Sequence, residues 1–209
     1  MQKNMWKITA EAICHQFNQR IIFEGISFSL NSGQSLVLTG ANGSGKTTLV
    51  RIICHLIRPQ AGNITFFQDE REVTLHRLYP HIGLVGPYLQ LYAQLTALEN
   101  YKFFAKIRGL KIDLKLFKSF MAKMGLAGRE LDELHTYSSG MMQRAKYVMA
   151  LIHHPHILIL DEPTVNLDES GTTLVYDIMR EQKKDKILIL ATNEPEEFKF
   201  GDNQISLDA

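Results

Sequence analysis

The sequence predicts an α/β fold: a mainly parallel sheet with an N-terminal antiparallel β-subdomain, interrupted by an all-helical insertion. Three observations carry this reading. The runs Ser35–Thr39, Ile157–Leu160 and Ile187–Leu190 are continuously apolar or nearly so, as strands buried on both faces of a parallel sheet must be. The first thirty-odd residues alternate apolar and polar positions instead, which suits strands with one wet face. Between Leu95 and Ile152 strand candidates disappear and apolar residues recur at helical spacing.

Taken in order, Ile8–Ile13 and Ile21–Leu30 read as strands joined by a polar turn at Asn18-Gln19. Ser35–Thr39 is a buried strand closed by Gly40. Leu49, Ile52, Ile53 and Leu56 form one stripe on a helix over Lys46–Leu56, stopped by Arg58-Pro59. Asn63–Phe67 and Arg71–Leu75 suggest a hairpin around Gln68-Asp69-Glu70, and Ile82–Val85 a further strand. Leu95–Ile107, Leu114–Met124 and Met141–Ile152 read as helices, with Gly109, Gly125 and Gly128 at plausible ends. Ile157–Leu160, a helix around Leu174–Gln182 and Ile187–Leu190 then restore a β-α-β rhythm. We therefore expect one domain over 1–209, with an α/β core at 1–91 and 153–209 and a helical unit at 92–152.

Composition narrows the function. Lys and Arg total 23 against 22 Asp and Glu, so the net charge of +1 argues against an electrostatically driven nucleic-acid partner. No apolar run approaches the roughly 18 residues that cross a bilayer, and the N-terminus has no signal-peptide core. Membrane work is expected to go through a partner. Cys14 and Cys54 show no metal-type or disulfide spacing and read as reduced thiols of a cytosolic protein.

Gly40–Thr47, GANGSGKT, fits G-x-x-x-x-G-K-[ST] in full, after a predicted strand and before a predicted helix. Glycines let successive backbone N–H groups turn inward as an anion nest, and the helix N-terminus adds its positive end. The candidate phosphate ligands are Gly40, Asn42, Gly43, Ser44, Gly45, Lys46, Thr47 and Thr48, with the Thr47 hydroxyl on Mg²⁺. A second element, Ile157–Glu162, is an apolar strand ending in two carboxylates. Asp161 is placed at the metal shell and Glu162 beside an attacking water, as its general base.

Together with Tyr137–Arg144 (YSSGMMQR) and Val165–Asp168 (VNLD), in this order, these motifs resemble the ATP-binding subunit of ABC transporters over about Ile8–Leu207. The stretch LYAQLTALEN is similar to bacterial members with separately encoded membrane subunits, including haem-exporter ATPases. The resemblance implies an ATPase using ATP and Mg²⁺, peripheral on the cytoplasmic face of the cell membrane, partnered by integral-membrane subunits. It also implies an ATP-dependent head-to-tail homodimer in which Ser138, Ser139, Gly140 and Asp168 act on the other chain's nucleotide, and an adenine-stacking aromatic at Phe17. Phe23 and Phe28 are alternatives for the stack, and Asp168 reads equally well as a helix N-cap.

Two positions depart from the family pattern. Pro87 stands where a metal-coordinating glutamine is usual, with Gln90 a nearby substitute, and Asn193 replaces a histidine that contacts the γ-phosphate. An amide still donates a hydrogen bond but cannot carry charge, so slow turnover is expected in isolation. These losses leave a competing reading, a nucleotide-binding regulatory module with little hydrolysis. A DNA-repair or chromosome-type ATPase of the same superfamily would need a long coiled coil that Leu95–Ile152 does not supply. His153, His154 and His156 read as a turn entering a buried strand, and Met141, Met142 and Met149 as helix packing. Lys102, Lys106, Lys111, Lys115, Lys118 and Lys123 read as solvated helix faces.

Overall fold

A computed structural model describes residues 5–208. The alternating N-terminal segments become β1 (Trp6–Phe17) and β2 (Arg20–Asn31), longer than the runs that predict them. Their two-residue turn has both Asn18 and Gln19 at positive φ, the hairpin geometry that follows strand twist. β3 (Ser35–Thr39) is wholly buried, and α1 (Lys46–Ile53) follows it after a six-residue loop but stops short of the predicted Leu56. β4 (Ala61–Gln68) pairs antiparallel with β1 and with β5 (Arg71–Glu72), giving a sheet of order β2-β1-β4-β5.

The predicted strand Arg71–Leu75 is thus mostly absent. After two residues of pairing the chain must leave this sheet's edge, and it does so through α2 (Leu75–Leu78), whose Leu78 is buried, and a 3₁₀ turn at Tyr79–His81. The helical stretch holds α3 (Ala97–Ile107), α4 (Leu114–Lys123) and α5 (Ser139–Leu151). Thr96 and Glu99 form a reciprocal capping box on α3. Gly109 and Gly125, both at positive φ, close α3 and α4, each helix ending in the paired backbone bonds of a Schellman motif.

β6 (Ile82–Val85), β7 (Ile157–Asp161), β8 (Ile187–Ala191) and β3 form a parallel sheet that β9 (Asn203–Ser206) extends, in the order β6-β7-β8-β3-β9. Between them run α6 (Glu169–Lys183) and α7 (Pro195–Phe198). β9 and α7 leave no sequence signal: one is a polar edge strand, the other four residues long. β9 is positioned through Asp202, whose carboxylate accepts from the Ser35 hydroxyl at 2.7 Å and pairs with Lys183.

The repeated ILIL runs explain the layering. Side chains alternate across a strand, so every isoleucine of β7 and β8 packs toward α1 and the antiparallel sheet, and every leucine toward α3–α6. Because β3, β6, β7 and β8 are parallel, their carboxyl ends share one edge, where α/β sheets bind ligands. Ile189→Ala is expected to cost about 2–5 kcal/mol of stability, while Ile107→Ala, at a side chain 66% exposed, should stay within about 0.5 kcal/mol. Urea unfolding of both variants checks the assignment; equal losses would contradict it.

Candidate functional site

The glycine loop leaves the carboxyl end of β3. Gly45 has φ +106°, and a Cβ there would collide with Ile22 and crowd Phe23, so the loop is pressed onto the antiparallel sheet. Gly40, at φ +140°, faces Ser44 so closely that a Cβ would lie 2.6 Å from its hydroxyl. Gly43, at φ +85°, is open to solvent, as is Asn42. Gly45 caps α1 without any side-chain bond, leaving the first N–H groups of Lys46, Thr47 and Thr48 free for an anion. The Ser44 hydroxyl is buried and has no partner. Lys46 is buried and folds back over the loop, its Nζ donating to the Gly40 carbonyl at 2.6 Å and to Ala41 at 3.2 Å. A glycine-rich cradle, an orphaned hydroxyl and a buried ammonium together fit a polyphosphate.

β7 delivers the acids. Asp161 is fully buried; its Oδ2 accepts from the Thr47 hydroxyl at 2.7 Å, and its Oδ1 has no partner. Burial pushes its carboxyl up, against the Thr47 hydrogen bond and the charges of Lys46 and Arg51. These hard oxygen donors fit Mg²⁺. Glu162 sits at φ +52°, a left-handed conformation held by its N–H donating to the Ala191 carbonyl at 2.8 Å. Burial is the largest cause raising its carboxyl, with Asp161, Glu197 and Glu194 adding to it and Lys46 opposing. Such strain at a non-glycine residue persists where function uses the placement.

Asn193 follows β8 and reaches across the loop mouth, its amide donating to Asn42 Oδ1 at 3.4 Å. Gln90 turns away from the site: its amide donates to the Pro87 carbonyl at 3.3 Å and lines a groove with Leu84, Phe104 and Met149. Sequence reasoning missed Glu197, a fully buried acid on α7 whose Oε1 accepts from Thr164 at 2.7 Å. A single acid within Glu194–Glu197 carries no signal that it turns inward. It also missed Tyr88, which directly follows the substituted Pro87 and could have drawn notice for that reason.

These features are those of one family, whose profile, described as ABC transporter, matches residues 23–165. The chain belongs to the ABC transporter family. It is 33% identical over 188 residues to the linearmycin resistance ATP-binding protein LnrL of Bacillus subtilis, covering 89% of this chain but 60% of that protein. It is 33% identical over 202 residues to a putative hemin import ATP-binding protein, HrtA, of Staphylococcus saprophyticus, covering 90% and 88% of the two chains. Against the cytochrome c biogenesis ATP-binding export protein CcmA of Brucella abortus the identity is 31%, with 90% and 86% covered. Among solved structures, an ATP-binding subunit of an ABC transporter superposes with a TM-score of 0.81 at 21% identity, over 95% of this chain and 85% of that one. That likeness establishes the ABC ATPase fold.

The remaining ABC motif residues lie elsewhere on the surface. Ser138 caps α5, its hydroxyl accepting from Met141 N–H at 3.2 Å, and Ser139 beside it is exposed. A Cβ on Gly140 would lie 3.0 Å from the Asn166 carbonyl. Asp168 caps α6, accepting from Gly171 N–H at 2.8 Å and the Ser170 hydroxyl at 3.1 Å, so its N-cap role is realised within the chain. Phe17, 53% exposed at the end of β1, packs edge-on against His15 at 4.8 Å. Phe23 is buried beneath Gly45 and Phe28 packs into the core, leaving Phe17 the available face of the three.

His153 is fully engaged in packing: its rings bond Arg108 at 2.9 Å and the Ile82 carbonyl at 3.0 Å, and burial lowers it to about 4. Lys102, Lys106, Lys111, Lys115, Lys118 and Lys123 are exposed, while Lys146 on α5 is half-buried.

Burial raises the Glu197 carboxyl above its ordinary 4.5. A raised acid favours the fold below 4.5, and that contribution is lost as pH climbs through the folded value. Glu197→Gln keeps the bond from Thr164 without a buried charge. It should therefore gain stability over the wild type increasingly as pH rises from about 5 to 8, read from melting temperatures; a pH-independent difference would contradict this.

Proposed function

We propose that this chain binds and hydrolyses MgATP to power transport by separate integral-membrane subunits. The observation that carries this is the 2.7 Å bond between Thr47 and Asp161, which sets the phosphate loop against the acidic strand end. The loop amides, Ser44 and Lys46 hold the phosphates. Thr47 and Asp161 hold Mg²⁺, which when bound neutralises charge on the phosphate oxygens. Glu162, its carboxyl raised, accepts a proton from the water that attacks the γ-phosphate. Asn193 donates a hydrogen bond to that phosphate, and Phe17 stacks on adenine.

In this reading a second copy presents Ser138–Gly140 from its helical unit, residues 92–152, with the N-terminus of α5 facing the nucleotide and Asp168 nearby. A ligand shared by two chains drives their association, and its hydrolysis releases them. Among the described residues no helix is long and apolar enough to cross a membrane; in this reading the force is delivered by docking on membrane subunits at the cytoplasmic face. A groove of about 200 Å³ lined by Leu84, Leu89, Leu91, Phe104 and Met149, with Arg108 and Lys146, offers an apolar, cationic surface for that partner. The names of the relatives span linearmycin resistance, hemin import and cytochrome c biogenesis; in this reading the cargo belongs to the membrane subunits.

Glu162→Gln is expected to keep ATP affinity within about threefold, lower turnover at least 100-fold and accumulate an ATP-dependent dimer on size exclusion. Hydrolysis at the wild-type rate would overturn the general-base role. Asn193→His should raise kcat by about ten- to a hundredfold, the value of one charge-assisted hydrogen bond to a transition-state phosphoryl group. No phosphate release from the wild type, even beside its membrane partner, would favour a regulatory nucleotide-binding module instead.

A further inference from the structure

Besides the Ser44 hydroxyl of the loop itself, two buried polar atoms beside the phosphate loop have no hydrogen-bond partner: Oδ1 of Asp161 and the hydroxyl of Tyr88. Buried polar groups are almost always satisfied, so each such orphan marks a place where a water or ion belongs. The two residues are neighbours. The Tyr88 ring folds back over Gly86, where a Cβ would lie 3.0 Å from the ring and 3.4 Å from the Asp161 Cβ. Gly86 thus leaves room for the ring to lie against the end of β7.

The ring is fixed from its other face. The Arg51 guanidinium, from α1, sits 4.3 Å from the ring centroid, and Tyr88 packs into the cluster that contains Ile157 and Ile159. The backbone turn is closed by Leu89 N–H donating to the Gly86 carbonyl, which also accepts from Lys146 Nζ at 3.3 Å. The Arg51 guanidinium also lies near enough to act on the phenol oxygen, but it can only donate, so the phenol's own proton stays available to an acceptor. A carboxylate oxygen is the complementary acceptor. Neither neighbouring side chain competes for the position: Pro87 has no donor, and Gln90 is turned onto the Pro87 carbonyl.

We propose that Tyr88 is a positioning residue for the divalent cation, its hydroxyl and Asp161 Oδ1 together holding a water of the cation's shell. The phenol thereby takes over, through one water, the contact that the chain lacks at Pro87. Mg²⁺ keeps several waters and binds through few protein ligands, so an outer-shell hydroxyl suits it. The inference rests on the ATP reading above.

Tyr88→Phe keeps the ring, its packing and the Arg51 guanidinium over its face, and removes the hydroxyl with whatever it receives from Arg51. The test is a Mn²⁺ titration of the ATP-saturated chain, followed by electron paramagnetic resonance, beside ATP affinity measured in EDTA. The variant should bind Mn²⁺ about three- to tenfold more weakly, the value of one neutral hydrogen bond. Its metal-free ATP affinity and its melting temperature in EDTA should match the wild type. Unchanged Mn²⁺ affinity overturns the role of Tyr88 while leaving the ATP reading intact. A parallel loss of metal-free ATP affinity also overturns it, because the hydroxyl would then shape the loop rather than the cation's shell. A wild-type chain that binds no ATP overturns both.

Discussion

A hydroxyl on the first turn of a helix and a carboxylate at the end of a buried strand meet at 2.7 Å, and the architecture is arranged around that meeting. Asp161 is fully buried, a position that disfavours its charge. Thr47, Lys46 and Arg51, all on α1, supply the compensating interactions. The helix can approach so closely because Gly45, the loop residue pressed on the antiparallel sheet, has no Cβ. Parallel strands bring the remaining parts to the same edge: Glu162 beside Asp161, Asn193 after β8 and Gly86 after β6. The ILIL runs hold this edge rigid from both faces.

The site also concentrates what a folding chain otherwise avoids. Asp161, Glu162 and Glu197 are all raised by burial, and Glu162 occupies a left-handed backbone position. Three inward acids near one another disfavour simultaneous ionisation. Polyphosphate binding at the same edge is compatible with this only because Lys46 and the free amides of α1 face it. In the proposed reading, Pro87 and Asn193 lower the chemical power of the edge without dismantling it. That reading expects a slow engine, accelerated when a partner completes the site.

Much of this was legible in the amino-acid order. The glycine pattern of residues 40–47, the strand ending in Asp161-Glu162 and the β-α-β rhythm each follow from local chemistry, and the structure brings them together. The failures share a cause. Arg71–Leu75 looks like a strand because its residues alternate, but its pairing is ended by the route the chain must take to β6. β9 and α7 are defined by what they pack against, β3 and the site, and not by periodicity. Glu197 and Tyr88 act through burial, which is a property of three-dimensional neighbours. Asp168 shows the same limit, since one residue type serves equally as helix cap and as partner to a second chain.

The central claim, that the bend between β3 and α1 cups a triphosphate, is tested most directly by amide hydrogen exchange across residues 40–48 with and without MgATP. The account predicts strong protection of these backbone N–H groups on adding nucleotide, with smaller changes elsewhere in the α/β core. Exchange in this segment that is indifferent to saturating MgATP would contradict it.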